Sequence, residues 1–124
     1  MKKDVLREIA EKDMLNDILE RDLKFIPGSK FEYSDLGFIL LKNIIEKTNR
    51  SKFESLLSRW ILHPLKMDNT YYNPTSSNIF NIVPTEYDSS FRKRMLKGEV
   101  HDENTYLMGG VSAHAGLFSN AWDI

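Results

Sequence analysis

This sequence predicts a mainly α chain with little or no complete sheet. Apolar residues recur at helical spacing over 4–22, 36–47 and 52–62. From Met67 to about Ser90 the chain is rich in Asn, Thr, Ser and Pro, the composition of a loop. Within that loop only two short runs, 70–72 and 79–83, have strand character.

The first helix is expected over 4–22. Asp4 can cap it, and Val5, Leu6, Ile9, Leu15, Ile18 and Leu19 fall roughly on one side. The charged run Glu11-Lys12-Asp13 is a point where it can break in two. Leu23 to Ile26 is expected to be extended, because Pro27 disfavours helix in the residue before it. Pro27-Gly28 then marks a turn. The second helix, over 36–47, carries apolar residues around well over half its circumference. Lys42, Asn43, Glu46 and Lys47 form its polar strip, so packing on several sides is expected. Ser34 or Asp35 caps its start, and Asn49 is the expected left-handed stop. The third helix, over 52–62, should turn Phe53, Leu56, Leu57, Trp60 and Ile61 inward and end at Pro64, with His63 at its C-terminus favoured by the helix dipole. Residues 91–97 read as a short helix. Gly109-Gly110 reads as a turn. Ser119 or Asn120 is a good cap with Asp123 in the first turn, yet Ile124 follows at once. A single turn cannot hold itself together, so the chain is expected to be cut from something longer.

At 124 residues the chain is one domain or part of one. A net charge of −1 gives no electrostatic case for nucleic acid or for an anionic membrane surface. The absence of cysteine excludes disulfides, thiolate zinc sites and cysteine nucleophiles. No apolar run is long enough to span a bilayer. The opening MKKDVLREIAEKD lacks the apolar region of a signal peptide, so any export signal would lie upstream, and localisation stays open.

Tyr33 is explained neither by the cap nor by the helix that follows it. The stretch "PGSKFEYSDLGFILLKNIIEKTN", with "FESLLSRWILHPLKMDNTYY" after it, resembles the serine β-lactamase and penicillin-binding-protein-like hydrolases. The resemblance is closest to their class C-like esterase and D-alanyl peptidase branch. Pro64, Leu65, Met67 and Thr70 match a Pro-Leu-Gly-Met…Thr pattern, with Lys66 in place of the usual glycine. "VHDENTYLMGGVSAHAGLFSNAWDI" is similar to a branch some of whose members are fused to bacterial β-N-acetylglucosaminidases.

The resemblance implies that 1–124 is a single partial domain, the helical middle part of an α/β β-lactamase-like (transpeptidase-like) fold. It implies acyl transfer to a serine, then hydrolysis, on an ester, amide or β-lactam of a small-molecule or peptide substrate, in a bacterial protein of the cell envelope, with no metal or organic cofactor. Tyr33 takes the general base/acid position, beside a lysine supplied by a Ser-x-x-Lys. Asp35 stands where the family often has an amide that contacts substrate or lysine. His101 and His114 fall on the substrate side. The Ser-x-x-Lys is expected upstream and the third motif beyond Ile124, so the isolated chain is expected to be inactive. Ser90-Phe91-Arg92-Lys93 matches the first motif in letters only, and His114-Ala115-Gly116 the third.

Other readings stand beside this one. Tyr33 can simply pack at the helix entrance, which would suit a non-catalytic helical accessory or binding module. His101, Asp102, Glu103 and His114 suggest a metal by composition, but their spacing matches no common zinc motif. An independent Ser112 hydrolase would need Ser112 within hydrogen-bond reach of His101 or His114. The greasy second helix suggests apolar surface left uncovered, and through it a homodimer.

Overall fold

The computed structural model describes residues 2–75 and 79–124, with backbone alone for 2–4. Helix α1 runs unbroken from Lys2–Glu20, so Glu11-Lys12-Asp13 does not split it. The backbone is already helical at Asp4, which is therefore no cap; its side chain lies outside the described residues. Only Ile18 of the expected apolar face is fully buried, while Val5, Leu6, Ile9 and Leu19 are half exposed or more. Charge fastens the N-terminal half instead. Glu11 accepts from Lys42 at 3.0 Å, and Arg7 lies 3.3 Å from Glu11 and 3.8 Å from Glu54.

After α1 the chain turns at Pro27-Gly28. The amide of Ser29 donates to the carbonyl of Ile26 at 3.0 Å, and Gly28 takes a φ of 80°, as the third residue of such a turn requires. Leu23 to Ile26 forms no strand. Helix α2 spans Asp35–Asn49. Ser34 caps it, its hydroxyl accepting from the amide of Gly37 at 3.3 Å. The left-handed stop is Arg50, with φ 50°, not Asn49; the Asn49 amide instead donates to the carbonyl of Ile45. Lys42 leaves the expected polar strip and is buried between Glu11 and Glu46, whereas Phe38, Leu41 and Ile44 remain exposed.

Helix α3, Phe53–Leu57, widens into a π turn over Ser58–Leu62. Pro64 has no N–H to return to the carbonyl of Trp60, and longer bonds take over, from His63 to Ser58 at 2.8 Å and from Met67 to Leu62 at 2.9 Å. Widening rotates the face: Leu56 is buried, but Trp60 and Ile61 point largely to solvent. Strand β1, Tyr71–Tyr72, falls where expected and pairs antiparallel with β4, Leu117–Phe118, placing Tyr71 opposite Phe118. Residues 79–81 form a 3₁₀ turn in place of the expected strand.

Residues 91–97 are not helical. They close a hairpin between β2, Tyr87–Asp88, and β3, Arg94–Met95. The carboxylate of Asp88 captures the amides of Ser90, Phe91 and Arg92, which would otherwise start a helix, and Lys93 reverses the chain at φ 51°. The last helix, α4, is Glu103–Leu107. Among the described residues, two small sheets and four α-helices agree with a mainly α chain. A core of Ile18, Ile39 and Met108, flanked by Met14, Leu15, Leu36 and Leu40, sits where α1 crosses α2 and α4. No described helix is long and apolar enough to cross a membrane.

Candidate functional site

Tyr33 sits one residue before the Ser34 cap, at the mouth of α2. Its ring leans on Phe38, centroids 5.9 Å apart, and two-thirds of the residue stays open to solvent. The Asp35 carboxylate beside the phenol, as hydrogen-bond acceptor first and negative charge second, favours the protonated form and pushes its pKa above the usual value. Alone, therefore, this phenol is a weaker acid than a free one. A cation has to arrive before phenolate forms at neutral pH. The position is anchored and accessible, and Asp35 stands beside Tyr33 at the start of α2.

The two histidines part company. His101 is half exposed and pairs with Glu86 at 2.6 Å. The side chain of His114 is 3% exposed and fully engaged. Its Nε2 lies 3.0 Å from Asp102 Oδ1 and 3.2 Å from Thr105 Oγ1; its Nδ1 lies 2.8 Å from Ser112 Oγ. A carboxylate only accepts, so Nε2 carries a proton; in the neutral ring Nδ1 then accepts from the Ser112 hydroxyl. Burial would raise the Asp102 carboxyl, but hydrogen bonds from the Thr105 amide and hydroxyl and from His114 outweigh it and hold the pKa below the usual range. Asp102 also caps α4, accepting from the Thr105 amide at 2.6 Å. Among the described residues, Tyr33 and Asp35 share no hydrogen bond, ion pair or ring contact with either histidine.

Ser112 thus meets the distance condition for a serine–histidine pair, but it is completely buried. Its carbonyl accepts from the Tyr72 hydroxyl at 2.6 Å, and burial, with Glu54 nearby, pushes that phenol's pKa up to about 12. An acyl donor has no path to Ser112 Oγ. The array is a brace between the 102–105 and 112–114 segments.

Sequence reasoning missed two residues that shape this region. Arg92 donates to Asp88 at 2.7 Å and to the carbonyls of Val100 and His101, and its guanidinium stacks 4.7 Å from the Tyr106 ring. Thr70 joins Ser119 and Asp123 at 2.7 and 2.8 Å. The only earlier sign of Thr70 was its place in the Pro-Leu-Lys-Met…Thr pattern; Arg92 gave no sign beyond a basic run. Between these anchors lies a groove of about 880 Å³, with His101, Asp102, Asn69, Asn120, Tyr71 and Phe118 in its walls. Gly110 permits a close approach nearby: a Cβ there would meet Asn73 Oδ1 at 2.0 Å.

Ser90 and Lys93 do not form a catalytic pair. They occupy a hairpin turn, with the Ser90 hydroxyl bonded to Asp88, rather than successive positions of one helical turn. Among the described residues no group of His, Asp and Glu side chains converges on a metal position.

Residues 2–124 match the family model described as beta-lactamase. Similar proteins include a "Putative D-alanyl-D-alanine carboxypeptidase" of Escherichia coli K12, 37% identical over 115 residues, covering 82% of this chain and 26% of that protein. An N-acetylmuramyl-L-alanine amidase of Bacillus subtilis 168 is 35% identical over 118 residues, again covering 82% of this chain and 26% of the relative. The chain thus spans about a quarter of the length of these relatives. The octameric penicillin-binding protein homologue from Pyrococcus abyssi superposes with a TM-score of 0.51 at 19% identity, over 92% of this chain and 29% of that one.

Proposed function

The chain belongs to the beta-lactamase family, and from that premise we propose that it is the tyrosine-bearing segment of a bacterial acyl-serine hydrolase, one partial domain of a longer protein. In this reading Tyr33 is the general base and acid. Its phenolate takes the proton of a serine supplied by another segment as that oxygen attacks an ester, amide or β-lactam carbonyl, and hands it to the leaving group. It then deprotonates the water that releases the acyl group. A lysine ammonium from the same outside segment would oppose Asp35 and bring the phenol into range. Asp35 and His101 stand on the substrate side. His114 serves that side from within, by holding the 112–116 loop in place.

The observation that carries this reading is the placement of Tyr33. The ring is accessible, steadied by Phe38, and set on the capped end of a buried-core helix. The names of the relatives, a carboxypeptidase and an amidase, suggest cell-wall peptides as substrates. The nucleophile lies outside this chain in this account, so 1–124 alone has no hydrolase activity. Incubation with a fluorescent penicillin or a serine-reactive phosphonate should leave it unlabelled. Stoichiometric attachment to any of its serines would overturn the assignment.

A further inference from the structure

The Arg92–Asp88 pair is more than the turn of its hairpin requires. Asp88 already closes that turn through the amides of Ser90, Phe91 and Arg92. The Arg92 side chain, 6% exposed, reaches past it to a different segment. Its Nε donates to Asp88 at 2.7 Å, its Nη1 to the carbonyl of Val100 at 2.6 Å, and its Nη2 to the carbonyl of His101. Among the described residues no backbone amide donates to either carbonyl, although Val100 is buried. A buried carbonyl left unpaired is costly, so the guanidinium does here what a neighbouring strand would do. The Tyr106 ring, 4.7 Å from it, steadies the plane of the fork.

We propose that Arg92 is a positioning residue: it sets the backbone at 100–101 so that His101 is presented to substrate from the wall of the groove. Glu99, Val100, His101 and Asp102 are consecutive and all line that groove, so fixing two successive carbonyls fixes the wall. Asp102 fixes its other end, through the Thr105 amide and His114. The His101 ring is held from the same hairpin, by Glu86 at 2.6 Å, just before β2. His101 is thus gripped twice, by its backbone and by its ring. A planar fork suits two adjacent carbonyls and a carboxylate; a point charge does not. The substrate role rests on the hydrolase reading, which puts His101 on the substrate side. The grip itself does not.

Nuclear magnetic resonance on the full 124-residue chain tests the grip. A guanidinium held by three acceptors rotates slowly, so Arg92 should give separate, exchange-protected Nη signals. Arg92→Lys keeps a cation beside Asp88 but cannot span both carbonyls. It should leave the far-UV circular dichroism unchanged and shift the His101 ring signals, while those of His63 stay in place. Averaged, rapidly exchanging Arg92 signals, or His101 signals that ignore Arg92→Lys, overturn the proposal. Kinetics of the full-length protein on a D-alanyl-D-alanine peptide test the use. Arg92→Lys should raise KM about tenfold with kcat within about threefold, and His101→Ala should do the same. The double variant should lose no more than either alone, because one residue acts through the other. Additive losses, or a loss confined to kcat, would reduce Arg92 to a brace and overturn its positioning role with the hydrolase reading intact. An unmodified full-length protein that neither cleaves the peptide nor is acylated by a fluorescent penicillin would sink the hydrolase reading and the substrate role of His101 with it, and the Arg92 signals would still decide the grip.

Discussion

Replacing His114 by alanine separates a brace from a surface contact. In the structure the imidazole is 3% exposed and bonded to Ser112, Asp102 and Thr105. Its loss leaves the Ser112 hydroxyl, with no exposure to water, without its partner, at about 1–3 kcal/mol. The Asp102 carboxylate is 31% exposed and recruits water, so its loss adds little. The missing ring carbons remove about 1–2 kcal/mol of buried contact. The total is about 2–5 kcal/mol, from a stability of roughly 5–15 kcal/mol typical of a domain. Urea denaturation followed by circular dichroism should show this loss, and the thermal midpoint should fall by roughly 10 °C or more. His101→Ala is the internal control. That residue is half exposed, its ion pair with Glu86 is at the surface, and its removal should change stability by less than about 0.5 kcal/mol. Were His114→Ala as harmless as His101→Ala, the buried network would not be holding these segments and the reasoning would fail.

Three further outcomes follow from charge and backbone. Asp35→Asn removes the negative charge beside the Tyr33 phenol, so tyrosinate absorbance should appear at lower pH than in the unmodified chain; no change would mean that Asp35 does not face the ring. The carboxyls of Asp102 and Asp123 titrate below their usual range: burial opposes this, but hydrogen bonds from Thr105 and His114, and from Thr70 and Asn69, prevail. Their stabilisation is complete above about pH 4, the unfolded value, and is lost as pH falls through the depressed folded values. Urea midpoints should therefore drop steadily below pH 4, and a midpoint constant down to pH 2 would contradict it. Lys66 occupies the left-handed region at φ 56°, and the relieved strain of about 1–2 kcal/mol, less about 0.4–1 for greater freedom of the unfolded chain, makes Lys66→Gly stabilising by up to about 1.6 kcal/mol. A destabilised variant would show that the turn is not strained.

The helices were legible because periodicity reports which residues share a face. The cap at Ser34, the Pro27-Gly28 turn and strand β1 were legible because their residue types have few alternatives. The family resemblance also has a local physical echo: where its pattern has glycine, this chain has Lys66 in a conformation that favours glycine. What periodicity could not show was which apolar face would be covered. Lys42, in the polar strip of α2, is buried, because Glu11, thirty-one residues earlier, comes within 3.0 Å of it. The run 91–97 was read as a helix because its composition allows one; Asp88, just outside the run, captures its amides. Of the candidate site, the place of Tyr33 one residue before the Ser34 cap was readable from the sequence; the negative charge of Asp35 beside its phenol was not drawn from it. The burial of His114 was not, since it depends on Ser112, Asp102 and Thr105 meeting across two loops.

The central claim is that Tyr33 moves the proton in an assembled acyl-serine hydrolase. It is tested most directly by grafting this chain in place of the matched segment of the Escherichia coli relative and measuring kcat/KM on a D-alanyl-D-alanine peptide against pH. The account predicts that the graft is active and that Tyr33→Phe lowers its kcat/KM by about 10²–10⁴-fold and removes the acidic limb of the pH profile, where protonation of the phenolate stops the base. An active graft whose Tyr33→Phe variant keeps the same rate and the same profile would contradict it.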